Sequence, residues 1–177
     1  MRRNLLILLA LTAVALTAAT AALAGTLTAT ANLSGAAGVS MSLPANPSFG
    51  DTLDGTDQTV SYAPVLGVVD ARGTGAGWNL TIASTAFDDG SSHTFAAGAV
   101  SSVAQSCSSG SSCTAASPSG ITYPVSLSTT PAKVFNAGAG TGMGKVDVTP
   151  TVQVIVPGNA YAATYTATVT LAAATGP

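Results

Sequence analysis

From residue 145 onward the chain alternates apolar and polar positions with a period of two. Val146, Val148, Val152, Val154 and Val156 share one side of residues 145–156, interrupted by Pro150. Between residues 160 and 172, Tyr161, Ala163, Tyr165, Ala167, Val169 and Leu171 oppose Thr164, Thr166, Thr168 and Thr170. A half-buried strand shows this period; a helix does not, because helical side chains return to one face about every 3.6 residues. Pro157, Gly158 and Asn159 supply the turn between the two runs.

The same pattern recurs upstream. Residues 26–34 place Leu27, Ala29, Ala31 and Leu33 opposite Thr28, Thr30, Asn32 and Ser34, and Val39, Met41 and Leu43 repeat it after Gly35 and Gly38, so a first hairpin is expected there. Residues 59–62 and 65–69 are strands divided by Pro64, residues 94–105 form one weak strand or two short ones, and residues 121–127 form an edge strand, since Pro124 lacks a ladder donor. The sum is nine or ten short strands with regularly spaced turns. That predicts an all-β fold, an antiparallel β-sandwich with Greek-key-like connections.

Composition narrows the setting. Arg2 and Arg3 precede an apolar core at residues 5–16, and Ala22, Leu23 and Ala24 match a signal-peptidase site, so residues 1–24 are expected to be a secretory signal and residues 25–177 a single domain. About 150 residues suffice to bury one core, and no second apolar segment predicts membrane attachment after signal removal. Charged residues are only 7% of the chain, and beyond residue 24 Arg72, Lys133 and Lys145 face seven Asp and no Glu. Nucleic acid is excluded as a partner, because binding phosphates requires clustered Lys and Arg. Helix-favouring Glu, Lys and Gln are nearly absent, and Thr and Ser hydroxyls must hydrate the surface instead.

Residues that carry chemistry are few. Asp51, Asp54 and Asp57 raise the question of calcium, but their spacing is not that of a helix-loop-helix calcium loop, and solvated turns account for them; no metal site is predicted. Cys107 and Cys113 bracket five Ser and Gly residues. In an oxidising compartment a disulfide is expected, worth about 2 kcal/mol on the chain-entropy model. Residues 106–119 then read as a mobile loop tip. His93 lies in a turn beside Asp88, Asp89, Ser91 and Ser92, and such sequence neighbours cannot supply the geometry of a catalytic triad. No enzyme and no cofactor are predicted. The glycines of residues 136–144 are not followed by the Lys-Ser/Thr of a phosphate loop.

The stretch from residue 66 to 82 contains the single Trp. Asp70 and Arg72 stand two apart, so on a strand they share a face and can pair, while Gly73, Gly75 and Gly77 permit positive φ and a reversal that brings the next strand alongside. Trp78, Leu80 and Ile82 point one way, Asn79 and Thr81 the other. In this sequence's letters, residues 69–80 read V-D-A-R-G-T-G-A-G-W-N-L, which resembles the first motif of the WxL domain family of Gram-positive surface proteins. Val156-Pro157 followed by residues 165–171 is similar to the family's terminal strand. Val169 stands where the second motif usually has a Trp, two residues before Leu171. The resemblance implies a secreted protein held non-covalently at the cell wall by peptidoglycan, with Trp78, Asn79 and Leu80 as candidate contacts and Asp70, Arg72, Gly73, Gly75 and Gly77 shaping the motif. Trp78 also reads as the central core residue, and both roles remain open at this stage. The alternative function is a structural subunit of an extracellular fibre or layer, self-associating by exchange of the strand after Ala24, because long Thr-rich strands without Lys or Glu leave sheet edges unguarded.

Overall fold

The computed structural model describes residues 28–116 and 120–177; the expected signal segment and the start of the first expected strand, Thr26 and Leu27, lie outside them. Among the described residues there is no helix and there are eleven strands: β1 (Val39–Ser42), β2 (Gln58–Tyr62), β3 (Leu66–Asp70), β4 (Trp78–Ser84), β5 (Phe87–Asp88), β6 (Thr94–Phe95), β7 (Ala99–Cys107), β8 (Val125–Ser126), β9 (Ala132–Ala137), β10 (Gly144–Val156) and β11 (Val169–Thr175). Every pairing is antiparallel. The six-stranded sheet runs β1-β3-β10-β7-β8 with β2 also on β10, the three-stranded sheet runs β11-β4-β9, and β5 and β6 form a small ribbon. Neighbours in the two larger sheets come mostly from distant parts of the chain, which is the crossed connectivity of an all-β sandwich.

β10 is the spine of the larger sheet. Val146, Val148, Val152 and Val154 are buried at alternate positions, as the period of two requires. One edge of β10 carries β7, and the other carries β3 and β2 end to end in a single unbroken register, from Gly144 opposite Asp70 to Val156 opposite Gln58. That register sets Pro150 against Pro64, in the gap between β2 and β3. Neither residue has an N–H to donate. A proline is tolerated in this central strand because the partner position has no hydrogen-bonding strand to lose.

The two sheets close on one core. Leu66 and Val68 of β3, Val100 of β7 and the valines of β10 meet Trp78, Leu80 and Ile82 of β4 and Val134 and Phe135 of β9. Trp78 has no exposed surface, and its ring stacks on Phe135 with centroids 5.2 Å apart. Among the described residues these are the two largest fully buried side chains, and buried aromatics each remove about 150–250 Å² from water.

Several sequence expectations are corrected. Residues 28–34 form no strand and are exposed, Leu33 at 95%; their apolar side is mostly Ala, whose burial would offset little of the entropy lost on ordering the backbone. β1 pairs instead with β3, so the first hairpin is not formed. The run expected from 160 to 172 is a strand only from Val169, because residues 160–168 cross the β5–β6 ribbon, where Asp88 and Thr166 exchange both backbone hydrogen bonds. β3 and β4 lie in different sheets, so the glycine-rich turn between them crosses the sandwich instead of closing a hairpin. The expected edge strand of residues 121–127 shrinks to β8, two residues at the end of its sheet. Because the chain has one Trp and its ring is sealed, the emission of the folded protein is expected to be blue-shifted and protected from iodide, moving to that of hydrated indole on denaturation; quenchable, water-like emission from the folded state would contradict this packing.

Candidate functional site

The motif turn is built around an ion pair. Asp70, at the end of β3, accepts from Arg72 Nε at Oδ1 and from Nη2 at Oδ2, both at 2.8 Å, and Nη2 also donates to the Gly77 carbonyl at 2.7 Å. The two side chains are 1% and 7% exposed, so the pair is fixed and largely out of water. The hydrogen bonds from Arg72 hold the Asp70 carboxyl below its ordinary value of 3.8. Arg72 lies in the bend just past β3, and its backbone N–H also donates to Asp70 Oδ1 at 3.2 Å. The expected pair thus forms through a local turn rather than a shared strand face, and Arg72 then reaches ahead to clasp the end of the longer turn.

Gly73, Gly75 and Gly77 all have positive φ, as expected for this reversal. The second glycine-rich turn, between β9 and β10, packs against the first: the Gly140 N–H donates to the Gly75 carbonyl at 2.7 Å, and the Trp78 indole N–H donates to the Gly142 carbonyl at 2.9 Å. Gly142 has φ +69°, and a Cβ there would lie 2.6 Å from Trp78 Nε1. Glycine is required at that position both for the backbone conformation and for the close approach.

The disulfide forms between Cys107 and Cys113, with Cα atoms 5.5 Å apart. The expected loose loop tip is corrected by what surrounds it. Cys113 bridges to Gly144, Thr114 and Met143 share a backbone hydrogen bond, the Ser108 hydroxyl donates to Asp147, and Ala116 enters the core; residues 117–119 lie outside the described residues. The Ser/Gly loop is thus fastened to the second glycine turn rather than left free.

Of the three candidate contacts, Trp78 and Leu80 are fully buried, and Asn79 is half-buried with its amide donating to the Gly176 carbonyl at 2.8 Å. Asn79 therefore ties the end of β11 to β4. Asp51 accepts from Thr52, Asp54 from the backbone and hydroxyl of Thr56, and Asp57 from the Gly158 N–H, so each of the three carboxylates closes a separate backbone contact. Among the described residues no three His, Cys, Asp or Glu converge to hold a metal.

An open cleft of about 1170 Å³ lies at the other end of β4, walled by residues 43–53 and 160–169 and floored by Ile82, Phe87, Phe95 and Val152. Its aromatic residues are interlocked. Phe49 stacks on Tyr62 and meets Phe87 edge-on, Phe87 stacks on Phe95, and Phe95 touches Tyr165. On its wall Tyr161 is 63% exposed and lies against the His93 imidazole, ring centroids 3.8 Å apart. His93 Nδ1 is 2.6 Å from Asp89, whose carboxylate is held down by that contact and also accepts the backbone N–H of Ser91 and His93. The period of two assigns Tyr161 to an inward strand face, so this grouping is not legible in the sequence; it forms because residues 160–168 leave the sheet. Val169, in the position of the expected second motif, pairs with Ser84 and borders the same cleft.

With the motif buried at one end and an aromatic cleft at the other, the class is an antiparallel β-sandwich domain. A family model described as "WxL domain surface cell wall-binding" matches residues 17–177, and the chain belongs to that family. Its place is accordingly the cell wall or cell surface. No curated protein and no solved structure matches the chain.

Two outcomes test the motif end. Gly142→Ala is expected to destabilise the fold by about 2–3 kcal/mol, from the positive φ and the displaced indole, measured by denaturant unfolding. Asp70→Asn is expected to be less stable than wild type at pH 7. Because the folded Asp70 carboxyl titrates below its unfolded value, its contribution is whole above about pH 4 and is lost as pH falls further, so the gap between the two proteins is expected to narrow in acid.

Proposed function

We propose that the chain is exported, with residues 1–24 as its signal and residues 25–177 as the mature domain, and that it is retained non-covalently at the wall by peptidoglycan. The observation that carries this reading is the family match, which spans the whole of the compact unit Leu33–Pro177. The domain acts as a binding module rather than an enzyme. Its one His is engaged with Asp89 and stacked on Tyr161, and its most buried charged pair, Asp70 and Arg72, is spent on holding a turn.

In this reading Trp78 and Leu80 serve wall binding from inside, by fixing the sandwich that presents its outer surface. Replacing Trp78 by Phe keeps most of the ring volume but leaves the Gly142 carbonyl buried without its donor, a loss of about 1–3 kcal/mol. Purified mature protein is expected to pellet with isolated Gram-positive cell walls. Trp78→Phe, assayed below its lowered melting temperature, is expected to pellet equally well. Wild type remaining in the supernatant like a non-binding control would sink the proposal.

A further inference from the structure

We infer that the aromatic cleft is the wall-binding site and that its occupant is the uncharged glycan strand of peptidoglycan, with Tyr161 as the stacking platform; this rests on the wall-binding reading above. At about 1170 Å³ the cleft exceeds the roughly 300–1,000 Å³ of a small-molecule pocket, a size suited to a length of polymer. Leu43 and Tyr161, two of the most exposed large apolar side chains, both line it.

Tyr161 is mounted as a fixed surface. The imidazole of His93 covers one face of its ring, the Asp89 carboxylate, itself 5% exposed, holds that imidazole, and the Tyr165 hydroxyl donates to the Tyr161 carbonyl. Tyr161 nonetheless remains 63% exposed and lines the cleft. Sugars present C–H faces to aromatic rings, and a ring held in place in advance loses little freedom on binding. The segment behind it is also tied down, by the Asp88–Thr166 exchange and by the Thr168 N–H donating to Thr85 Oγ1.

Charge selects among the polymers of a wall. Among the described residues that line the cleft the charged side chain is Asp51, and there is no Lys or Arg. Arg72 is bound to Asp70, Lys145 pairs with Val69 beside the motif turn, and Lys133 lies on β9. A phosphate-rich anionic polymer would meet a carboxylate and no cation in this cleft, whereas an uncharged sugar chain meets no such penalty.

Wild type, Tyr161→Ala, Tyr161→Phe and Ile155→Ala are to be titrated onto cell walls before and after removal of anionic polymers, with melting temperatures recorded. Ile155 is exposed and outside the cleft, so its variant is the surface control. Expected results are full binding of wild type to stripped walls, an affinity loss of about tenfold or more for Tyr161→Ala with a melting temperature lowered by no more than a few degrees from the lost His93 stacking, and near wild-type binding by the other two variants. Glycan strands freed by an amidase are expected to compete wild type off stripped walls, and free stem peptides are not. Equal binding by Tyr161→Ala would overturn the assignment of the cleft, and loss of binding on stripping or competition by stem peptides would overturn the assignment of the occupant. Each of those outcomes leaves wall binding itself standing. Failure of wild type to bind whole walls removes both.

Discussion

The hydrogen bond from the Trp78 indole to the Gly142 carbonyl lies in a region that water does not reach, and it joins the start of β4 to the turn that leads into β10. Those two strands belong to different sheets. A sandwich depends on side-chain packing between its layers, because backbone ladders act only within a sheet. Here a polar bond supplements the packing at the point where the largest side chain must fit under a turn. The fit depends on the missing Cβ at Gly142, and the bond depends on the neighbouring turn, which Arg72 holds closed from Asp70 to Gly77. The ion pair, the three glycines and the indole thus form one mechanical unit at one end of the domain.

The other end is organised differently. Beyond Ser84 the regular sheet gives way to the short β5–β6 ribbon and to residues 160–168, and the space between them is filled by interlocked rings rather than by alternating valines. Aromatic side chains pack edge to face and stacked without needing a continuous ladder, so they can wall an opening as well as fill a core. The result is a rigid, closed motif end and an open, aromatic end, joined by β4 and β10. Holding the fold together and presenting an open aromatic surface thus fall to separate parts of one small domain.

Much of the motif end was legible in the chain. Asp70 and Arg72 pair as their spacing of two allows, though across a local turn rather than along a strand, the glycines carry positive φ, and Cys107 joins Cys113 across a short loop. β2, β3, β7 and β10 stand close to where the alternation and the prolines placed them. Two of the failures share a cause. Residues 28–34 and 160–168 alternate as cleanly as β10 does, but their apolar positions are mostly Ala, with few larger side chains, and two of those, Leu33 and Tyr161, are exposed. Alternation describes a strand that has something to cover, and small side chains cover little.

Local pattern therefore determined the fold class, the ionic clasp, the disulfide and the inward direction of Trp78, Leu80 and Ile82, since each depends on neighbours within a few residues. Tertiary structure alone decided the partners: β1 on β3, Pro64 opposite Pro150, the crossing of the sandwich between β3 and β4, and the placing of Tyr161 on His93. The physical reason is that the period of a strand specifies which side chains turn inward and leaves both backbone edges equally able to pair. Which edge is met, and which rings are left facing an opening, follows from packing between residues far apart in the chain.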